Sequence, residues 1–182
     1  MIMTTRPSST FFTAFAAAAA LLVAGCGSKS EKEVASGTYT DPDTGETADY
    51  KVTSSDDGES GNISIKTADG EVSFGGGAAN AKLPAGIAAF PGAKMTGGFS
   101  STGKDGTSGM ASFEVKGKAA DVIAHFRKQV EAQGMKVVSE VNADETMMIA
   151  AEKAGSETPE LHVMATQEGD MVTGSVTYGD GR

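Results

Sequence analysis

Residues 110–134 read MASFEVKGKAADVIAHFRKQVEAQG, and two different hydrophobic periods meet there. In Met110 to Lys116, Ala111, Phe113 and Val115 alternate with Ser112, Glu114 and Lys116, the period of a half-buried strand. In Lys118 to Gln133, Val122, Ile123, Phe126 and Val130 fall on one stripe at helical spacing. Asp121 sits near the helix start, where the dipole favours a carboxylate, and Gly134 supplies the stop. Downstream, strands are expected over Met135 to Val141, Thr146 to Glu152, Glu160 to Thr166 and Met171 to Tyr178, joined by short polar turns. A strand, one helix and a run of hairpin-linked strands make an α+β unit. The expected fold is an antiparallel sheet of four to five strands with one helix packed on a face.

Upstream, Thr38 to Gly77 reads as a small β-meander preceding that unit. Tyr50 and Val52, Ile63 and Ile65, and Val72 and Phe74 each show period-2 spacing, and Asp69-Gly70 marks a hairpin turn. Gly75-Gly76-Gly77 reads as a break. Leu83 to Gly92 (LPAGIAAFPG) lies between Pro84 and Pro91, and its Leu83, Ile87 and Phe90 are expected to seal one side of the core. Met95 to Phe99 reads as a strand and Ser100 to Gly109, without an apolar side chain, as a loop. The α+β unit is therefore expected over 78–182, after a meander over 38–77.

The N-terminus carries a different signal. Arg6 is the only charged side chain before Lys29, and Phe11 to Ala24 is apolar except for Thr13. That run is shorter than the roughly 20 residues a membrane span needs and fits a secretory signal peptide. It ends in Leu22-Val23-Ala24-Gly25-Cys26, and Cys26 is the one cysteine of the chain. This text resembles the lipobox of bacterial lipoproteins. The resemblance implies cleavage between Gly25 and Cys26, removal of 1–25, and lipidation of the Cys26 thiol. A diacylglyceryl thioether supplies two acyl chains, and stable anchoring generally takes two such signals. Gly27 rather than Asp after the cysteine implies, by analogy with enteric bacteria, the periplasmic face of the outer membrane. Residues 26–37 then form a lipidated N-terminus and a short polar tether.

Removing 25 of 182 residues leaves 157, enough for one domain with a small appendage. Losing Arg6 from 15 basic side chains leaves 14 against 24 acidic ones, a net charge of −10. That balance argues against nucleic acid as a partner. With Cys26 taken by lipid no intrachain disulfide remains, so the fold stands on its core.

Phe90-Pro91-Gly92-Ala93 and Phe126 to Val138 (FRKQVEAQGMKVV) together resemble small lipoprotein domains of Gram-negative bacteria that pair FPGA-like text with a later helix and a meander. The helix-then-strand text is also similar to helix-on-sheet domains of outer-membrane assembly lipoproteins. The resemblance implies a fold and no activity.

Residues that could carry chemistry are sparse. His125 on the helix and His162 between Leu161 and Val163 have neither H-x-x-x-H spacing nor a free cysteine, so no metal site is expected. Asp41 to Glu46 (DPDTGE) lacks the third Asp and distal Glu of a calcium loop, and Asp56, Asp57 and Glu59 read as a solvated loop tip. The triple glycine lacks the Lys-Ser/Thr of a phosphate loop, and no G-x-S-x-G occurs. Met147 and Met148, adjacent on a strand, face opposite sides and read as core filling rather than copper ligands. No catalytic residue and no cofactor is expected. The expected function is a membrane-anchored lipoprotein with a non-enzymatic binding or structural role, its partners the bilayer and an envelope protein. The alternative is a periplasmic carrier or sensor of a small ligand or metal.

Overall fold

The computed structural model describes residues 32–55, 60–78, 80–104, 106–156, 158 and 160–179. Ten strands and one helix follow in chain order: β1 (Lys32–Thr40), β2 (Thr47–Ser54), β3 (Gly61–Thr67), β4 (Gly70–Gly76), β5 (Lys94–Gly103), β6 (Gly106–Lys116), α1 (Ala119–Ala132), β7 (Lys136–Ala143), β8 (Thr146–Glu152), β9 (Leu161–Glu168) and β10 (Met171–Gly179). All strands join one antiparallel sheet in the order β1-β2-β3-β4-β5-β6-β10-β9-β8-β7. The chain climbs through six strands in succession, joined by short connections except between β4 and β5, where residues 77–93 intervene. It then crosses by α1 to the far edge and returns through β7, β8 and β9, so that β10 pairs with β6.

This corrects the expected fold class. The protein is mostly β, a single ten-stranded sheet with one helix, rather than an α+β sandwich on four to five strands with a separate meander. The reason lies at β4 and β5. Their ladder runs from Gly70↔Gly103 through Phe74↔Phe99 to Gly76↔Gly97, and it welds the meander to the rest. Ser100 to Gly109 is not a loop but the two arms of a hairpin, paired Ser100↔Gly109 to Gly103↔Gly106. Serine, threonine and glycine carry no apolar alternation, so the pairing is dictated by neighbouring strands. β1 likewise includes residues 32–37, whose polarity alone reads as tether.

The core lies on one face. Directly paired residues of an antiparallel ladder point to the same side. Val115↔Val172 and Val176↔Val163↔Ile149 thus set rows that face the helix. Val122, Ile123, Phe126 and Val130 of α1 bury into Ile149, Ala151, Leu161, Val163, Ala165, Val172, Val176, Phe113 and Val115. Phe113 and Phe126 meet with ring centroids 5.8 Å apart. Each fully buried large side chain contributes about 1.5–3 kcal/mol, so these rows carry most of the stability.

Helix α1 has no side-chain cap of its own at Lys118. Gln167 of β9 supplies it, accepting the Ala119 N–H at 2.8 Å while its amide nitrogen donates to the Gly117, Gly169 and Met171 carbonyls. At the other end Gly134 takes φ 75°, and the N–H groups of Gly134 and Met135 donate to the carbonyls of Glu131 and Val130. These paired bonds form a Schellman closure.

Residues 80–93 form a strap over the same face. Ile87 is buried in the core, and Leu83, Phe90 and Ala93 pack against it. Gln129 pins the strap to the helix: the Ala88 N–H donates to its Oε1 at 2.6 Å, and its Nε2 donates to the Ala88 carbonyl at 3.0 Å. Asn80, 1% exposed, ties the strap's start to the sheet through the Gly76 carbonyl and the Ser73 hydroxyl.

Candidate functional site

A cleft of about 440 Å³ opens between the strap, the last turn of α1 and the strands β5, β6, β9 and β10. That volume falls within the range of small-molecule sites. Its apolar wall is Leu83, Pro84, Ile87, Met135 and Leu161. The strap supplies the first three because Pro84 turns the chain and the Pro84 carbonyl accepts the Ile87 N–H at 3.1 Å. Met135 arrives by the helix closure at Gly134.

The polar groups facing that wall include Ser100, Thr102, Thr107 and Tyr178, which the sheet places. Ser100, Gly109, Tyr178 and Leu161 stand side by side on adjacent strands β5, β6, β10 and β9. The Tyr178 ring lies over Gly109, where a Cβ would sit 2.6 Å from the tyrosine hydroxyl and 2.7 Å from the Phe99 carbonyl oxygen. Only glycine leaves that space. Tyr178 is 8% exposed; its hydroxyl has no hydrogen-bond partner among the described residues and keeps contact with solvent, since no fully buried side-chain nitrogen or oxygen among them lacks a partner. Burial pushes its pKa up from the ordinary phenol range, because the charged phenolate loses its hydration. Lys82, Lys153 and Glu160 border the cleft, and Lys153 Nζ pairs with Glu160 Oε2 at 2.7 Å. Gln133 donates to the Gly86 carbonyl at 3.3 Å and holds the rim.

The residues singled out from sequence lie elsewhere. Gly25 and Cys26, the expected cleavage and lipidation positions, are outside the described residues, as are Asp56, Asp57 and Glu59. His125 faces the strap, in edge contact with Phe90 and Phe126, its Nε2 2.8 Å from the Gln129 amide nitrogen. His162 pairs with Thr177 and Ala150, on the sheet face opposite the helix. The sheet itself separates the two histidines. Among the described residues no three His, Cys, Asp or Glu come together as a metal site. Asp41 forms a turn with its own backbone, accepting the N–H groups of Asp43 and Thr44, and these bonds lower its pKa. Met147 packs against the core and Met148 lies across from Met164 on the opposite face.

Tyr178 was open to detection in sequence, since it continues the buried phase of Val172 and Val176. Ser100, Lys82 and Met135 carried no such signal, because their meeting depends on the strap and on the β5–β6 pairing.

A second surface lies on the face away from the helix. There Val52↔Ile63↔Phe74↔Phe99↔Met110 form one row across five strands, with Tyr50↔Ile65↔Val72 beside it. Tyr50, Ile65, Val72, Phe74 and Phe99 are exposed, and the charged side chains Asp49, Lys51, Lys66 and Glu71 occupy the other face. Comparison of the chain with protein-family models, curated proteins and solved structures found no match to any of them.

Proposed function

We propose that the protein is a lipoprotein of the bacterial cell envelope, anchored through Cys26 at the periplasmic face of the outer membrane, with a non-enzymatic binding or structural role. The observation that carries this reading is the apolar leader ending in Leu22-Val23-Ala24-Gly25-Cys26. The fold is consistent with close tethering. β1 starts at Lys32, so five residues separate it from Cys26. At about 3.3–3.6 Å per residue, the first strand begins within roughly 20 Å of the anchored sulfur. Among the described residues lining the cleft, Glu160 is held by Lys153 and neither histidine is present, so the cleft offers a surface for binding.

Labelling cells with radioactive palmitate tests the anchor. Wild-type protein is expected to incorporate label and to fractionate with membranes. The Cys26→Ser variant is expected to lose the label while its circular dichroism stays unchanged. An unlabelled wild-type protein would overturn the anchoring.

A second reading, a carrier or sensor of a small ligand, is favoured by the cleft itself. Its apolar wall faces polar groups placed by the sheet, among them the hydroxyl of Tyr178, and an apolar surface with oriented polar groups is the usual make-up of a small-molecule site.

A further inference from the structure

We propose that the cleft under the strap takes a small amphipathic carboxylic acid. Its apolar body lies on Leu83, Ile87, Met135 and Leu161, and its carboxylate is taken by the Tyr178 hydroxyl and the Lys82 ammonium. The inference rests on the ligand-carrier reading and names the chemistry of the ligand.

Three observations carry it. The first is the Tyr178 hydroxyl. A hydroxyl that reaches a cleft and has no protein partner there can bond a ligand in place of water. Tyr178 is more than nine-tenths buried, lines the cleft, and has no partner among the described residues. Gly109 beneath its ring keeps the hydroxyl in place. A phenol at neutral pH donates well to an anion, and burial keeps Tyr178 protonated.

The second observation is charge. The chain has a net charge of −9, yet among the described residues the cleft is bordered by Lys82 and Lys153 against Glu160 alone, a balance of +1. Glu160 is already paired with Lys153. Lys82 has no hydrogen-bond or ion-pair partner among the described residues, so its charge is available at the mouth. It also borders an adjoining groove with Lys66, Asp69 and Glu71, where Asp69 is tied to Lys104. A cationic ligand would meet Lys82 unfavourably, and an uncharged one would leave it unused.

The third is the apolar wall. Leu161 and Ile87 belong to the core, so the cleft reaches down to it. A wholly polar anion such as phosphate would desolvate against those side chains without return. One charged end and an apolar body satisfy both sides.

The test is isothermal titration of the full-length protein with three probes of one chain length: hexanoate, hexanol and hexylammonium. Hexanoate is expected to bind saturably at one site per chain and about tenfold or more tighter than the other two, in keeping with a charge-assisted hydrogen bond. Tyr178→Phe keeps the ring and is expected to weaken hexanoate by about 5- to 10-fold, as is Lys82→Gln. Ala85→Trp, at an exposed lining position, is expected to close the cleft and abolish binding while leaving circular dichroism unchanged. Hexanoate binding that survives Ala85→Trp would place the site elsewhere and overturn the proposal. Hexanol or hexylammonium bound as tightly as hexanoate, and lost in Ala85→Trp, would overturn the carboxylate while leaving the carrier reading intact. No saturable binding of any of the three would overturn both.

Discussion

Strands β2–β4 and β8–β10 are both three-stranded antiparallel meanders of seven to nine residues per strand, in one continuous sheet. They are stabilised differently. β8–β10 bury Ile149, Ala151, Leu161, Val163, Ala165, Val172 and Val176 beneath α1. In β2–β4 the buried side chains are the polar Thr53 and Ser73, and no apolar one is buried to that extent. The apolar phase changes side within β6. Phe99 and Met110 end the row on the open face, whereas Phe113 and Val115 begin the row beneath the helix.

The difference shows what a shared backbone ladder does and does not supply. Hydrogen-bonded ladders join β4 to β5 and β5 to β6, the second with a register shift between Met95 and Gly97, but each bond contributes only about 0.5–1.5 kcal/mol net. Burial of apolar surface contributes more, and it is concentrated in one half. The β1–β4 half is therefore templated by β5 and by the Asn80 node rather than by a core of its own.

The largest expected effect is on the covered half. Phe126→Ala removes a fully buried ring, with an expected loss of about 3–5 kcal/mol in urea unfolding. A loss below about 1 kcal/mol would break the contrast between the halves. Phe74→Ala, on a side chain already 40% exposed, is expected to cost about 1 kcal/mol or less. A loss near that of Phe126→Ala would mean that the open face is covered in solution.

Alkaline pH is expected to act on the covered half through Tyr178. Its pKa is raised by burial, so the folded chain holds that proton to higher pH than the unfolded chain does. An unfolded tyrosine releases it at about pH 10. The contribution of Tyr178 is fully present below that pH and is lost as pH rises through the higher folded value. Thermal melts of wild type are expected to show this alkaline loss, and Tyr178→Phe is expected to flatten it. An unchanged slope in the variant would assign the loss to other groups.

Legibility in the sequence followed the same division. The α1 stripe of Val122, Ile123, Phe126 and Val130 is readable because burial on one side of a helix imposes its period on the residues. The helix cap was not readable, because Gln167 lies 48 residues from Ala119. The β5–β6 hairpin was hidden because Ser100 to Gly109 holds no apolar residue, and its strands form only by pairing with neighbours that already exist. The candidate cleft was hidden for a related reason. Leu83 and Ile87 read as core-sealing residues, but their meeting with Ser100, Tyr178 and Met135 needs the strap, the hairpin and the helix closure together.

The amino-acid order alone determined the local elements whose residues carry their own period: the helix, the strands from β7 to β10, and the alternation in β2 to β4. It also holds the apolar run that ends at Cys26. Tertiary structure decided that these elements share one sheet, that its apolar phase changes face within β6, and that a cleft forms beside Tyr178. Periodicity records which side of an element is apolar. It does not record which element lies against that side, and pairing over long sequence separations is settled only when the whole sheet is assembled.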